Sequence, residues 1–153
     1  MKVSVTGAAG YVGLNIINAL QEAGHESFAF IRKSSRTDYL AQFKTKIVYG
    51  DLMDNNSLQE AFKGKDAVIH CAALTSGFKA DRQLQYDTNV MGTRNVLHAA
   101  LQNKIRRLVF TSSTCTIGSS ESARHFTEED SLSGYRAKGQ YAKTKMLGEE
   151  IVL

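Results

Sequence analysis

The strongest constraint on the fold lies in the first two dozen residues. Lys2–Thr6 is a β-rich run, and it stops at Gly7. Two more glycines follow at the same spacing, Gly10 and Gly13. Over residues 10–23 the apolar positions Val12, Leu14, Ile16, Ile17 and Leu20 recur as on one helix face, and Gly24 supplies a stop. A strand that becomes a helix through three close glycines needs backbone to pass near backbone. One glycine makes the tight turn, one lets the chain approach a ligand, and one allows close helix–strand packing.

The remaining sequence repeats the alternation. Residues 27–31 and 46–49 are β-like. Residues 57–62 read as a short helix, with Ser57 and Glu60 at capping-box spacing and Gly64 closing it. Ala67–His70 is a fourth strand, residues 81–102 a long helix, residues 107–111 a fifth strand, and residues 137–153 a last helix interrupted by Gly139 and Gly148. Strand alternating with helix predicts a parallel sheet covered on both faces, and the apolar run Ala67-Val68-Ile69 suits a strand buried on both sides. The polar stretch 118–139 reads as a long loop of the kind that often carries function.

The 153 residues are the length of one domain, spanning 1–153, with 42% hydrophobic and 22% charged residues, as in soluble globular proteins. No apolar run approaches the roughly 18 residues that span a bilayer. Met1 leads straight into the first strand without a signal-peptide pattern. The net charge of +4 is mild, and the basic residues fall in small groups rather than in a stripe, which argues against a nucleic-acid partner. Cys71 and Cys115 lie beside strand-like runs, as buried free thiols of a reducing cytoplasm do. His25, His98 and His125 have no metal-ligand spacing, so no metal is expected.

The unpaired N–H groups and positive dipole of the helix that opens at Gly10 form a ready site for phosphates. The spacing is G-x-x-G-x-x-G, and a purely structural turn is the competing reading. Further segments point the same way: Val5-Thr6-Gly7-Ala8-Ala9-Gly10, Gly50-Asp51-Leu52, His70-Cys71-Ala72-Ala73, Asn89-Val90-Met91-Gly92-Thr93-Arg94-Asn95-Val96, Thr111-Ser112-Ser113 and Tyr141-Ala142-Lys143-Thr144-Lys145. In that order they resemble the N-terminal portion of an extended short-chain dehydrogenase/reductase, the NAD-dependent epimerase/dehydratase family, and within it the dihydroflavonol-reductase-like branch. The resemblance implies an α/β fold of the Rossmann type, a doubly wound parallel sheet of strand order 3-2-1-4-5 with the cofactor where the order reverses. It also implies that the chain ends before the later strands and the substrate region.

The resemblance assigns the cofactor to Gly7, Gly10, Tyr11, Val12 and Gly13 at the first turn, to Asp51 and Leu52, to Ala72 and Ala73, and to Thr111, Tyr141 and Lys145. Asp51 has a plainer reading as a turn residue. The choice of cofactor rests on the end of the second strand, Ile31-Arg32-Lys33-Ser34-Ser35-Arg36, which holds no carboxylate. A carboxylate there would bind the ribose hydroxyls of NAD, whereas a guanidinium holds a 2′-phosphate. Arg32 and Lys33 therefore favour NADP, with NAD as the alternative and a solvated basic loop as the non-functional reading.

Tyr141 and Lys145 stand four residues apart on one helix face. A nearby ammonium lowers the pKa of a phenol, which lets tyrosine exchange a proton with a carbonyl near neutral pH. By resemblance Lys145 also bonds the nicotinamide ribose, Ser113 holds the substrate oxygen, and Asn89 supports the network. Ser112 and Thr114 are rivals for Ser113, and the family pattern counted back from Gly118 selects Ser113. His70 reads as core or cofactor wall. The function expected is reduction of a ketone or aldehyde by an NADP-dependent oxidoreductase. The alternatives are an NAD-using nucleotide-sugar epimerase or dehydratase, and a non-catalytic NADP-binding module. Its partners are a small carbonyl or sugar-nucleotide substrate and, by resemblance, a second copy in a homodimer, with no nucleic acid and no membrane.

Overall fold

The computed structural model describes residues 1–75, 81–117, 127 and 139–153. Five strands, β1 (Lys2–Thr6), β2 (Glu26–Ile31), β3 (Thr45–Tyr49), β4 (Ala67–His70) and β5 (Arg107–Phe110), form one parallel sheet of order β3-β2-β1-β4-β5. Val5 in the central strand pairs with Ala29 on one side and Ile69 on the other.

Side chains along each strand alternate between two cores. Val3 and Val5 of β1, Ala29 and Ile31 of β2 and Ala67 of β4 face one side, where they meet Ile17 of helix α1 (Tyr11–Glu22) and Leu40. Phe30 and Val68 face the other side. They meet Leu58 and Phe62 of α2 (Asn55–Phe62) and Val96 and Ala99 of α4 (Gly92–Gln102). Removing an Ile17- or Phe62-sized side chain from water contributes about 1.5–3 kcal/mol. The sheet is thus covered on both faces, as the alternation of strands and helices predicts.

The first glycine turn works by contact. Gly7 has φ +69°, and a Cβ there would stand 2.7 Å from the backbone of Ala72. A Cβ on Gly13 would stand 2.3 Å from the Gly7 carbonyl oxygen. Only glycine allows β1, β4 and α1 to approach this closely.

Two helix expectations need correction. α2 begins at Asn55, not at a Ser57–Glu60 capping box, because Asp54 accepts from the backbone N–H groups of Asn56 and Ser57. The Ser57 hydroxyl turns back to the carbonyls of Asp51 and Asp54. The long helix of residues 81–102 is three segments: α3 (Arg82–Tyr86), a π-helical turn (Asp87–Met91) and α4. The N–H of Gly92 bonds to the Asp87 carbonyl, five residues back, and the Thr93 hydroxyl takes the Asn89 carbonyl at 2.7 Å. Such π turns recur at functional sites. The last helix, α5, covers Gln140–Val152. The loop expected at 118–139 and His125 lie outside the described residues, apart from Thr127 and Gly139.

Candidate active site

A cleft of about 660 Å³ opens at the carboxyl ends of the strands, where β1 and β4 send their chains to opposite faces. That volume lies within the usual range for ligand and cofactor sites. Gly7 and Gly10 form its floor, and Gly10 caps α1 without any side-chain hydrogen bond. The helix therefore presents free N–H groups and its positive end. The lack of side chains at Gly7 and Gly10 and the open helix end fit a pyrophosphate in chemistry and in space.

Seven of the residues expected at the cofactor line this cleft: Gly7, Gly10, Arg32, Asp51, Leu52, Ala72 and Ala73. Asp51 also serves the turn, since its Oδ1 accepts from the Met53 N–H at 2.9 Å. The others lie elsewhere. Tyr11 and Val12 begin α1 with side chains 86% and 47% exposed, and Gly13 is packed beneath Gly7. Lys33 is exposed and not part of the lining. Arg36 was not expected and does line the cleft, where Asp38 pairs with its guanidinium at 3.1 Å. Its place four residues past Arg32 was the available signal. Leu74 was also missed. Nothing in its own side chain marks it, because it is held through its backbone.

That backbone is held by Asn89, whose Oδ1 accepts from the Leu74 N–H at 2.7 Å. The Asn89 amide donates to the Leu74 carbonyl at 3.1 Å and to the Thr144 hydroxyl at 3.0 Å. Gln85 donates to the same Leu74 carbonyl at 3.0 Å. The π turn thus ties the end of β4 to α5.

Tyr141 and Lys145 lie on α5, and Ser113 caps the short 3₁₀ turn Thr114–Thr116 that follows β5. Lys145 is buried; its ammonium donates to the Thr111 carbonyl at 2.6 Å and lies 4.0 Å from the Phe110 ring centre. Gly148 permits this approach, since a Cβ there would stand 3.0 Å from the Phe110 ring. Burial lowers the Lys145 pKa, and the charge of Glu149 opposes that. The expected lowering of the Tyr141 pKa by Lys145 is corrected here: burial raises it, a hydrogen bond with Ser113 works against that rise, and Cys115 adds to it. The physical reason is desolvation of the phenol, while the Lys145 ammonium is directed at the Thr111 carbonyl and the Phe110 ring. Ser113 is thus the hydroxyl that meets Tyr141, whereas its rival Ser112 bonds to Glu149.

His70 is core rather than cofactor wall. It is buried, with Nδ1 2.7 Å from the Thr6 hydroxyl and Nε2 3.0 Å from the Thr93 hydroxyl. Thr93 already donates to Asn89, so it accepts from His70; the ring is then neutral with its proton on Nε2. Burial pushes its pKa down to about 3.

Compared with known proteins, the chain matches the NAD dependent epimerase/dehydratase family over residues 3–153. It belongs to that family. Sterol demethylase protein B of Methylococcus capsulatus is 35% identical over 156 residues, covering 100% of this chain and 46% of the relative. The 2-alkyl-3-oxoalkanoate reductase of Stenotrophomonas maltophilia is 34% identical over 158 residues, again covering 100% and 46%. A short-chain dehydrogenase/reductase superfamily protein of Agrobacterium tumefaciens, solved with bound NAD, shares 35% identity and a TM-score of 0.83. That match covers 99% of this chain and 44% of the other. This epimerase/dehydratase family member therefore spans less than half the length of these curated relatives. Among its described residues no group of three His, Cys, Asp or Glu could hold a metal, and no helix is long and apolar enough to cross a membrane.

Proposed function

We propose that this chain is the dinucleotide-binding portion of an NADP-dependent oxidoreductase that reduces a ketone or aldehyde. The observation that carries the reading is the common location of two sets of groups. A glycine-floored cleft with Arg32 and Arg36 in its wall lies at the same sheet end as Ser113, Tyr141 and Lys145.

The Gly7–Gly10 turn and the α1 N-terminus would hold the pyrophosphate, and Arg32 and Arg36 of the cleft lining would hold the 2′-phosphate through charge-assisted bonds. The nicotinamide, when bound, supplies the hydride. Tyr141 gives its proton to the substrate oxygen, and Ser113 donates a hydrogen bond to that same oxygen. The Lys145 ammonium has three donors. One is used on Thr111, which leaves two for a ribose hydroxyl and for the phenol after its proton has left. Asn89 keeps α5 and the end of β4 in register for this geometry. An NAD-using epimerase or dehydratase is the second reading, favoured by the family description.

The similarity to a 2-alkyl-3-oxoalkanoate reductase supports carbonyl reduction. A cytoplasmic setting accords with two free thiols, Cys71 held up at about 11 by burial. A homodimer through α4 and α5 accords with the exposed Leu101 and Leu147.

The test is NADPH oxidation against ketones, aldehydes and nucleotide sugars, using this chain and a version extended to the length of its relatives. The extended protein is expected to turn over a carbonyl substrate, and Tyr141→Phe to remove that activity. Positioning of substrate accounts for about 7–11 kcal/mol of barrier lowering, so the short chain is expected to bind cofactor with little turnover. Turnover that survives Tyr141→Phe contradicts the reading.

A further inference from the structure

Glu149 lies one turn beyond Lys145 on α5, four residues on, and so shares a face with Lys145 and Tyr141. Its Oε1 accepts a hydrogen bond from the Ser112 hydroxyl and lies 3.0 Å from the Thr116 hydroxyl, whose single proton it shares with the Ser113 carbonyl oxygen. These two residues bracket Ser113. Thr116 is also tied to Ser113 itself, its N–H and its hydroxyl lying 3.0 Å and 2.7 Å from the Ser113 carbonyl oxygen. One partly buried carboxylate oxygen on the helix that carries Tyr141 therefore grips both sides of the turn that carries Ser113.

We propose that Glu149 is a positioning residue: it clamps Ser112 and Thr116 to α5 and thereby sets the Ser113 hydroxyl against the Tyr141 phenol. Ser113 reaches Tyr141 across two separate elements, β5 with its 3₁₀ turn and α5, which sequence separates by 28 residues. In the described residues the carboxylate of Glu149 is a direct side-chain link between them on this side of the site. The consequence for proton transfer rests on the oxidoreductase reading, whereas the clamp does not.

A test without turnover follows the ionisation of Tyr141 by NMR in chain labelled with ¹³C at tyrosine Cζ, its signal assigned by Tyr141→Phe. Among the described residues the phenol is faced by Ser113 and Cys115, and Ser113 favours the ionised form. Releasing the clamp weakens the Ser113 bond, so Glu149→Ala is expected to move the Tyr141 midpoint to higher pH. Loss of a neighbouring negative charge alone would move it to lower pH. The sign therefore separates the two effects. Glu149→Gln keeps an oxygen that can accept both bonds, and its midpoint is expected to stay on the low side of that of Glu149→Ala. In a Ser113→Ala background, Glu149→Ala is expected to cause no upward shift. Should Glu149→Ala fail to fold, Ser112→Ala with Thr116→Val removes the same bonds from the other side and is expected to give the same upward shift. An unchanged or lowered midpoint, or an upward shift that persists without Ser113, overturns the proposal. In the extended enzyme kcat is expected to fall about tenfold in Glu149→Ala, roughly one hydrogen bond, with KM for NADPH unchanged. No turnover in the extended enzyme before substitution, with the titration as expected, sinks the oxidoreductase reading and leaves the clamp standing.

Discussion

Lys145 donates to the Thr111 carbonyl at 2.6 Å, and this bond joins α5 to the end of β5. It also directs the ammonium at the sheet end, and burial dominates the Tyr141 phenol. A proton donor must carry its proton, and raising the phenol pKa keeps it protonated over a wider range. Carbonyl reduction by the extended enzyme is therefore expected to hold level through neutral pH and to fall only as pH rises past the ordinary tyrosine value of about 10. A pH–rate profile with an alkaline limb below pH 8, still present in Cys115→Ala, contradicts this placement of charge.

His70 links folding stability to acid. Its folded pKa is depressed to about 3 from 6.5 in the unfolded chain. The unfolded state therefore takes up the proton first as pH falls. The contribution of His70 is fully present above 6.5 and is lost between 6.5 and about 3, at up to about 1.4 kcal/mol per pH unit. Urea unfolding at pH 7.5 and pH 5 is expected to show this loss, and His70→Gln is expected to flatten it while lowering stability at pH 7.5. Equal slopes in parent and variant contradict the assignment.

Ser4 sits in the middle of the central strand, fully buried, and among the described residues its hydroxyl has no hydrogen-bond partner to repay the loss of its hydration. Ser4→Ala is expected to raise stability by about 1 kcal/mol, and the melting temperature by about 2–4 °C. A lower melting temperature would show that the hydroxyl is satisfied.

Gly13→Ala tests the packing beneath the phosphate turn. The added methyl meets the Gly7 carbonyl at 2.3 Å and must push α1 off β1. Overpacking of this kind costs about 1–3 kcal/mol. NADPH affinity is expected to fall as well, because the displaced helix end carries the free N–H groups. Unchanged melting and unchanged affinity together rule out the contact.

The fold was legible because its signals are local. Periodicity identifies the strands and helices, and glycines mark the turns that Gly7, Gly24 and Gly64 make with positive φ. Glycine spacing with its strand–helix setting located the cleft floor, and the spacing of Tyr141 and Lys145 placed both on the one helix α5, the candidate catalytic face. What the sequence hid depends on long-range contacts. The π turn is accompanied by the Thr93 hydroxyl on the Asn89 carbonyl, and α2 starts early because Asp54 rather than Ser57 caps it. Burial of the phenol reversed the expected shift of Tyr141, and Lys145 bonds to Thr111, 34 residues away. Glu149 carried no mark of its own, since its partners lie 33 and 37 residues away.

The central claim is an NADP site at this cleft, and calorimetric titration of the chain with NADPH and with NADH tests it most directly. NADPH is expected to bind more tightly, and Arg32→Ala to remove roughly 1.5–3 kcal/mol of that preference while leaving NADH affinity near its parent value. Equal affinity for the two cofactors in the parent chain, or no binding of either, contradicts the account.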